Sequence, residues 1–347
     1  MLDLSELAAD SRLLIEADLR PVQGHRFQPT GFPDLGAATY QNPDGVDMLL
    51  VESAQSMANH LEGVCWDAAE DDLVQVLAGL PYVRVHVPAT RGKDYTTSIL
   101  EFHRLNSPYI MGSEGGFRET LSIEAGISRR GASTTSKDSS DKDKTGNIDI
   151  GEVARACFKY DPGSVLHGVF LEKIDGRARL TRLLSAFIEA TDVKQVESGG
   201  VKFDRINPSG NTGEGFGHVP FHRTEYVAKT ITAYFSFDLA ALRGYGLGSE
   251  AERLLITLAL WKIAAFLDGD LRLRTACDLE VVETRVTRPS KFMMPTMDAL
   301  DESIREAIAA CTACGMFAQP AVTALNWSPK KAAKPKKESA SDDSDDQ

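Results

Sequence analysis

Four polar side chains, none of them a lysine or a glutamate, recur at helical spacing between residues 50 and 62. They are Gln55 and Asn59, one helical turn apart, and Ser56 and His60, also one turn apart. The apolar stripe of the same helix consists of Ala54, Met57, Ala58 and Leu61. A solvated helix face is usually charged, so this uncharged face predicts hydrogen bonds to a ligand. The alternative is a helix packed in the interior with its polar groups satisfied. Ser53 is the predicted N-cap, and the N-terminus of a helix attracts phosphate.

A second candidate segment, residues 207–220, is rich in glycine and asparagine. Its polar and glycine positions are Asn207, Gly210, Asn211, Gly213, Gly215 and Gly217. Glycines let a backbone approach a ligand closely and present N–H groups as an anion-binding nest. The segment is one residue short of a kinase glycine loop, and no Gly-Lys-Ser/Thr of a P-loop follows it. The alternative is a hairpin tip or a long connection between strands.

Three side chains that follow the glycines are predicted to reach phosphates as donors and cations: His222, Arg223 and Lys229. His218 and His222 are four residues apart, but Pro220 interrupts the helix that would place both imidazoles on one metal. Cys311 and Cys314 have no second Cys or His pair at zinc spacing. Gly-x-Ser-x-Gly and His-Glu-x-x-His motifs are also missing from the sequence. We therefore predict no metal and no cofactor.

Charge and hydropathy limit the function classes. The 347 residues carry a net charge of −12, whereas nucleic-acid binders usually show a basic surface. Binding nevertheless needs only a local track of donors and cations. Five scattered cysteines indicate a reducing cytoplasm. The acidic first ten residues predict no signal peptide, and the apolar stretch 254–267 is too short to span a bilayer. We expect a cytoplasmic protein without a membrane partner.

The chain length of 347 residues allows one large elaborated domain or two domains, and we expect a single domain over residues 1–327. Strands are predicted at 12–22, 82–87, 165–173, 183–197, 228–239 and 275–286. Helices are predicted from the N-cap at Ser53 to residue 62 and at 117–125, 149–160, 249–267 and 297–311; the segment 96–105 suits either state. Ser249 and Glu252 have capping-box spacing at the start of the fourth helix. Residues 128–147 and the tail 328–347 lack apolar content and are predicted to be disordered. The order of elements predicts an α+β, ferredoxin-like fold with a mainly antiparallel sheet.

Six segments carry a resemblance to a known family: 28–36, 51–62, 165–171, 184–190, 207–226 and 271–279. Together they resemble the backbone RAMP subunit of the type I-G (earlier I-U) CRISPR interference complex, Cascade, over roughly residues 10–315. Ser53, Gln55 and Ser56 match the Ser-x-Gln-Ser pattern that begins the RNA-holding helix in this superfamily. Asn59 and His60 stand near where other subtypes have basic residues, so strong charge contacts from this helix are not expected. The resemblance implies an RRM-like palm with large insertions and a thumb-like protrusion. The glycine-rich segment is the candidate either for this thumb or for an element that lines the RNA.

The resemblance also implies a function, that of a non-catalytic scaffold that polymerises along CRISPR guide RNA. Its expected partners are the guide, the target DNA strand read through the guide, other copies of itself, other Cascade subunits and the helicase-nuclease recruited to the complex. The predicted RNA-binding residues are Ser53, Gln55, Ser56, Asn59 and His60, with Arg26, His167, Asn207, Gly210, Asn211, Gly213, Gly215, Gly217, His218, His222, Arg223 and Lys229. Two alternatives stay open. One is an endoribonuclease that processes precursor guide RNA with His218 or His222 as acid or base, and the other is a nucleotide-binding enzyme that uses the glycine loop.

Overall fold

A twisted antiparallel sheet organises the part of the chain that the structure describes. The structure is a computed structural model, and it describes residues 2–32, 34–89, 92–127, 147–269 and 271–329. Within these ranges the sheet has seven strands in the order β16-β17-β1-β15-β12-β5-β4. The predicted disordered loop, apart from Asn147, and the tail from residue 330 lie outside the described residues.

The strands and helices of the described ranges have the following bounds. The strands are β1 (Arg12–Pro21), β2 (Gly31–Phe32), β3 (Gly36–Ala37), β4 (Thr39–Gln41), β5 (Asp47–Glu52), β6 (Trp66–Asp67), β7 (Asp72–Leu73), β8 (Tyr82–His86), β9 (Tyr95–Thr97), β10 (Val169–Phe170), β11 (Arg179–Leu180), β12 (Leu184–Thr191), β13 (Lys194–Lys202), β14 (Val219–Val227), β15 (Thr230–Asp238), β16 (Leu271–Arg274), β17 (Cys277–Arg288) and β18 (Val322–Asn326). The helices are α1 (Ala54–Gly63), α2 (Pro108–Met111), α3 (Phe117–Glu124), α4 (Ile150–Tyr160), α5 (Pro162–His167), α6 (Leu239–Gly244), α7 (Ser249–Asp268) and α8 (Met297–Ala313).

The centre of the fold is a ferredoxin-like unit with long insertions. Its strands lie in the order β17-β1-β15-β12, each antiparallel to its neighbour. Along the chain they alternate with helices as β1, α1, β12, β15, α7, β17. This arrangement is the βαββαβ pattern with an antiparallel sheet, so the predicted fold class is confirmed.

Alternating burial explains which side of the sheet is covered. In β1 the side chains of Leu13, Ile15 and Ala17 are buried, whereas Glu16 between them is only partly buried on the other face. Helix α1 packs against β12 and α7, and α7 packs against α8. As predicted, α7 is apolar nearly all round and is buried, and it carries Lys262 into the interior with 3% of its surface exposed. The core therefore lies between one face of the sheet and the helices.

Some local predictions were wrong. In the stretch 165–173, residues 165–167 are the end of helix α5, and Val169–Phe170 is the short strand β10. Helix α5 begins before this stretch because Pro162 fits the first helical turn and Asp161 caps it by accepting the Gly163 N–H at 2.9 Å. The capping box is also absent, since Ser249 is the first residue inside α7 and Gly248 occupies the N-cap with φ +92°. The stretch 96–105 contains the end of β9, a turn and a short 3-10 helix.

The predicted strand 183–197 is instead two strands, β12 and β13, which belong to different sheets. A turn that includes Asp192 with φ +54° separates them. The strand β13 pairs with β14 in an antiparallel ribbon from Lys194↔Val227 to Lys202↔Val219, and the loop 203–218 closes it. We call residues 194–227 the hairpin. Most of its residues are exposed, so it protrudes from the palm. Among the described helices, none is both long and apolar enough to cross a membrane.

Candidate nucleic-acid interface

The N-terminus of α1 is built as the sequence predicts. Strand β5 ends at Glu52, and Ser53 adopts an extended conformation with φ −78° and ψ 159°. Its hydroxyl accepts a hydrogen bond from the Ser56 N–H at 3.2 Å. The predicted N-cap is confirmed. The other N–H groups of the first turn have no partner within the helix itself, so this end of α1 is suited to an anion.

The polar face of α1 lies at the surface. Gln55 and Asn59 are exposed, and the Gln55 side-chain amide donates to Asn59 Oδ1 at 3.3 Å. Ser56 and His60 are half-buried. Burial lowers the pKa of His60 below its usual range, which keeps the imidazole neutral at pH 7. This face therefore offers hydrogen-bond donors and acceptors rather than charge.

The opposite side of α1 fixes the helix to the core. Met57 and Leu61 have 0% and 1% of their surface exposed, respectively. At the C-terminal end the buried Glu62 carboxylate pairs with Arg104 through two bonds of 2.6 and 2.9 Å, and Arg104 also donates to the Gly168 carbonyl at 3.1 Å. Arg104 holds φ +52°, an unfavourable conformation for an arginine that the two-sided contact maintains.

Two arginines that the sequence did not single out flank the start of α1. Arg182 donates to the Ala54 carbonyl at 2.9 Å, to Gln55 Oε1 at 3.1 Å and to the His167 carbonyl at 3.4 Å. Arg274 of β16 donates to the Val51 carbonyl at 3.1 Å and pairs with Glu52. These contacts place two guanidinium groups beside the first turn of α1, and the ion pair with Glu52 neutralises the charge of Arg274. Their partners in β5 and α1 are more than 100 residues away in sequence, so no local pattern could have identified these contacts.

Arg274 also links the two edges of the large sheet. It lies in β16 at one edge, and its partners Val51 and Glu52 lie in β5 near the other edge. The same guanidinium donates to the Gln28 carbonyl at 3.2 Å. The twist of the sheet therefore brings its edges together beside Ser53, and the connection after β1 lies between them.

A short segment continues from this point to the base of the hairpin. Phe27 forms a bridge with Tyr226 through two backbone bonds of 2.9 and 3.0 Å. Arg26 and Arg223 both pair with the buried carboxylate of Glu225, at 3.3 and 2.7 Å. A cleft of about 490 Å³ opens here, lined in part by both arginines. Two predicted residues, Arg26 and Arg223, thus lie together, with one more positive charge than their shared carboxylate neutralises.

Lys229 lies just after the hairpin, His222 lies in its second strand, and His218 lies in the loop that closes it. Lys229 is exposed in the short connection to β15 and is held by its backbone N–H, which donates to the Thr191 carbonyl at 3.0 Å. His222 is exposed in the middle of β14. His218 lies in the loop, where Nδ1 accepts the Asp204 N–H at 3.0 Å. Lys229 is therefore a free side chain for phosphate, whereas one nitrogen of His218 helps to fold the loop.

The glycine-rich loop uses its own amide groups. The N–H groups of Gly210, Gly213, Gly215 and Gly217 donate, in that order, to Asn207 O, Asn211 Oδ1, Thr212 O and Asp204 Oδ2. A Cβ on Gly217, which has φ +83°, would lie 2.4 Å from the Gly210 carbonyl oxygen. These glycines make a tight loop possible, and their engaged amides do not form the predicted nest. Asn207 and Asn211 are exposed, but the Asn211 side-chain oxygen and the Asn207 backbone carbonyl each accept a hydrogen bond within the loop.

His167 lies away from this surface. It has 2% of its surface exposed, and its Nε2 is 3.0 Å from the buried ammonium of Lys262. Burial, followed by the charge of Lys262, holds the pKa of His167 well below its usual range. The ring is therefore a neutral acceptor in the core, and its side chain cannot reach RNA on the surface. Its prediction as an RNA contact came from the resemblance alone.

The open face of the sheet is acidic. The rings of Phe187 and Tyr234 stack there at 5.1 Å, in one cross-strand row with Glu16. Glu189 lies on the same face, two residues beyond Phe187, and Arg285 pairs with Glu16. Carboxylates beside these rings disfavour RNA phosphates. The α1 face, rather than the open face of the sheet, is the better candidate for binding RNA.

The match to a family model agrees with the resemblance in the sequence. The family model described as CRISPR-associated protein GSU0053 matches residues 13–195, just over half of the chain. One similar solved chain belongs to a CRISPR RNA-guided surveillance complex, pre-nicking, with 12% identity, a TM-score of 0.42, and coverage of 87% of this chain and 88% of that chain. Another is Csc2 of Thermofilum pendens, with 9% identity, a TM-score of 0.30, and coverage of 90% and 80%. Among curated proteins, the comparison finds no match.

Proposed function

Because the chain belongs to the CRISPR-associated GSU0053 family, we propose that it is a non-catalytic backbone subunit that holds guide RNA in a Cascade-type complex of subtype I-G. In this proposal several copies line up along one guide in the cytoplasm. Other Cascade subunits and a recruited helicase-nuclease join them. The guide, held by its sugar-phosphate backbone, reads the target DNA strand by base pairing.

The observation that carries the proposal is the surface around the first turn of α1. Gln55 and Asn59 are exposed there, the N-terminus is capped by Ser53, and Arg182 adds positive charge. Phosphate contacts position a nucleic acid without reading its sequence. Such a surface suits a scaffold, which must hold any guide equally well.

The track for the RNA continues from α1 towards the hairpin. Gln28 joins the two ends, because its carbonyl accepts from Arg274 and its neighbour Phe27 is paired with Tyr226 of the hairpin. Arg26 and Arg223 lie at the hairpin base. We propose that the RNA backbone passes from the α1 N-terminus to this cleft, and that the hairpin is the thumb of the fold.

The first test removes the polar face of α1 and leaves its apolar stripe. In a variant with Gln55, Ser56, Asn59 and His60 all changed to Ala, folding should be preserved, because Met57 and Leu61 are untouched and alanine favours the helix. Each lost hydrogen bond to a phosphate should weaken RNA binding by about 1.5–3 kcal/mol. The measurements are thermal unfolding and the Kd for guide RNA.

Controls separate binding from folding and from charge. Met57→Ala should instead lower the free energy of unfolding by about 2–5 kcal/mol. Lys229→Ala should flatten the dependence of RNA affinity on salt, whereas the quadruple variant should leave that slope nearly unchanged. If the quadruple variant unfolds early and loses RNA only for that reason, the polar face is structural. Cleavage of repeat RNA by the pure protein would favour the endoribonuclease instead.

A further inference from the structure

A groove beside the C-terminal half of α1 combines the groups that recognise a nucleobase. It lies between α1, the end of α7 and β16, and we call it the α1–α7 groove. Its volume is about 290 Å³, at the lower end of the ~300–1,000 Å³ typical of small-molecule pockets. This size fits one ring system better than a longer ligand. Two predicted RNA-binding residues, Asn59 and His60, line it.

The groove offers a flat ring with apolar surroundings. The His60 ring packs against Phe266 with centroids 5.9 Å apart. Leu271 and Leu273 line the groove from β16. Burial keeps the imidazole neutral, so His60 presents a π surface rather than a cation for phosphate. Unpaired RNA bases commonly stack on aromatic side chains that include histidine.

Polar groups lie at the rim of the same groove. Asn59 is exposed, and the Gln55 amide occupies its Oδ1 at 3.3 Å, which leaves the Asn59 NH₂ group as a donor for a base edge. Arg272 is also at the rim, with 73% of its side chain exposed and a long 3.6 Å contact to Asp278. An amide and a guanidinium around an aromatic surface are the chemistry that recognises a base.

The position of the groove connects it to the phosphate-binding end of α1. Helix α1 has ten residues and is therefore about 15 Å long. A phosphate at its first turn and a base at its last turn would belong to the same nucleotide or to neighbouring ones. The first half of this helix face would thus contact the RNA backbone, and the second half would contact a base.

We propose that the α1–α7 groove binds one unstacked nucleobase of the RNA, with His60 as the stacking surface and Asn59 as the donor to the base edge. This inference rests on the proposed RNA-binding function. It explains why residues 59 and 60 are an amide and an imidazole rather than lysine or arginine. It also predicts that the effect of His60 on binding depends on bases, whereas that of Gln55 depends on the backbone.

The test uses the full chain and two RNAs of equal length, one with normal bases and one in which tetrahydrofuran abasic units replace every nucleoside. On normal RNA, His60→Ala should weaken binding by about 5- to 150-fold, the range for one stacked base. His60→Phe, which keeps a flat ring, should restore most of the affinity. On abasic RNA, His60→Ala and wild type should bind equally well. Gln55→Ala, the matched control on the same helix face, should stay weaker than wild type on both RNAs.

The outcomes distinguish this inference from the function beneath it. Equal losses for His60→Ala on normal and abasic RNA would overturn the base-binding groove while leaving RNA binding intact. No binding of either RNA by wild type would overturn the proposed function itself. If His60→Ala does not fold, Asn59→Ala replaces it, because Asn59 is exposed, and the same dependence on bases should appear. Irradiated RNA that carries 4-thiouridine should cross-link to the peptide with His60 or to that with Phe266; cross-links confined to the hairpin would contradict the assignment.

Discussion

The α1 face and the hairpin are both predicted to meet RNA, yet the fold holds them in opposite ways. The side of α1 that carries Met57 and Leu61 is buried. An arginine contacts each end of the helix: Arg182 donates to Ala54, and Arg104 pairs with Glu62. Both arginines also bind neighbouring backbone carbonyls, those of His167 and Gly168. The backbone at the end of α5 thus anchors both of the arginines that hold α1.

In the described ranges, contacts at its base hold the hairpin to the palm. The bridge between Phe27 and Tyr226 and the pairs around Glu225 attach it to the palm. Beyond them, large apolar side chains face solvent, with Phe203 and Ile206 exposed by 75% and 96%. The α1 face is therefore prearranged by the fold, whereas the hairpin leaves these apolar side chains exposed. We propose that a neighbouring copy of the chain covers them.

The largest effect expected from this difference concerns Arg104. Arg104→Ala should lower the free energy of unfolding by about 3–5 kcal/mol, because it leaves the buried Glu62 carboxylate without its partner. Urea unfolding measures the loss. Arg205→Ala is the matched control, since Arg205 is an exposed arginine of the hairpin loop and its removal should change stability by less than about 0.5 kcal/mol. Similar losses for both variants would erase the distinction between the two regions.

The sequence predicted well the features that depend on neighbouring residues. The strand β1, the Ser53 cap, the apolar stripe of Met57 and Leu61 and the buried α7 all follow from local periodicity. The order of these elements was sufficient to predict the ferredoxin-like sheet. Two local predictions were wrong. Pro162 begins a helix that runs into a stretch predicted as a strand, and Gly248 rather than Ser249 is the N-cap of α7.

Features that depend on contacts between residues distant in the chain could not be predicted from the sequence. Arg104 meets Glu62 from 42 positions away, and Arg182 meets Gln55 from 127. His167 belonged to a segment of the resemblance, but nothing local showed that it faces Lys262 in the core. The glycine pattern suggested free amide groups, whereas the fold of the loop turns them inward. Pairings of this kind exist only after the chain has folded.

An effect of intermediate size concerns His167 and pH. Because burial holds its pKa well below the usual value of 6.5, the unfolded chain binds a proton below about pH 6.5 that the folded chain does not. As the pH decreases below about 6.5, this group should therefore lower the free energy of unfolding of the wild type, by up to about 1.4 kcal/mol per pH unit. His167→Gln keeps an acceptor for Lys262 and removes this contribution, so the variant should gain relative to the wild type as the pH falls from 7 to 5.5.

The difference in pH dependence between His167→Gln and the wild type isolates the contribution of His167 to stability. Glu62 and Asp161, whose pKa values burial raises, act in the opposite direction but are present in both chains. Urea unfolding at several pH values measures the two slopes. His222→Gln is the control on the hairpin, where the ring is exposed, and it should follow the wild type. Parallel curves for His167→Gln and the wild type would mean that the His167 ring is accessible to protons in the folded chain.

The smallest effect on stability is expected from the tip of the hairpin. Within the described structure, the hydrogen bonds of residues 203–218 are internal to that loop, and Lys202 and Val219 are already paired across the ribbon. An Asn-Gly turn can therefore replace the loop, with a change of less than about 1 kcal/mol in the free energy of unfolding. Binding of a short RNA through α1 should persist. Assembly on a long RNA, followed by light scattering, should fail, because the exposed Phe203 and Ile206 are gone. A loss of several kcal/mol would instead make the tip part of the core, whereas unimpaired assembly would show that neighbouring copies contact each other elsewhere.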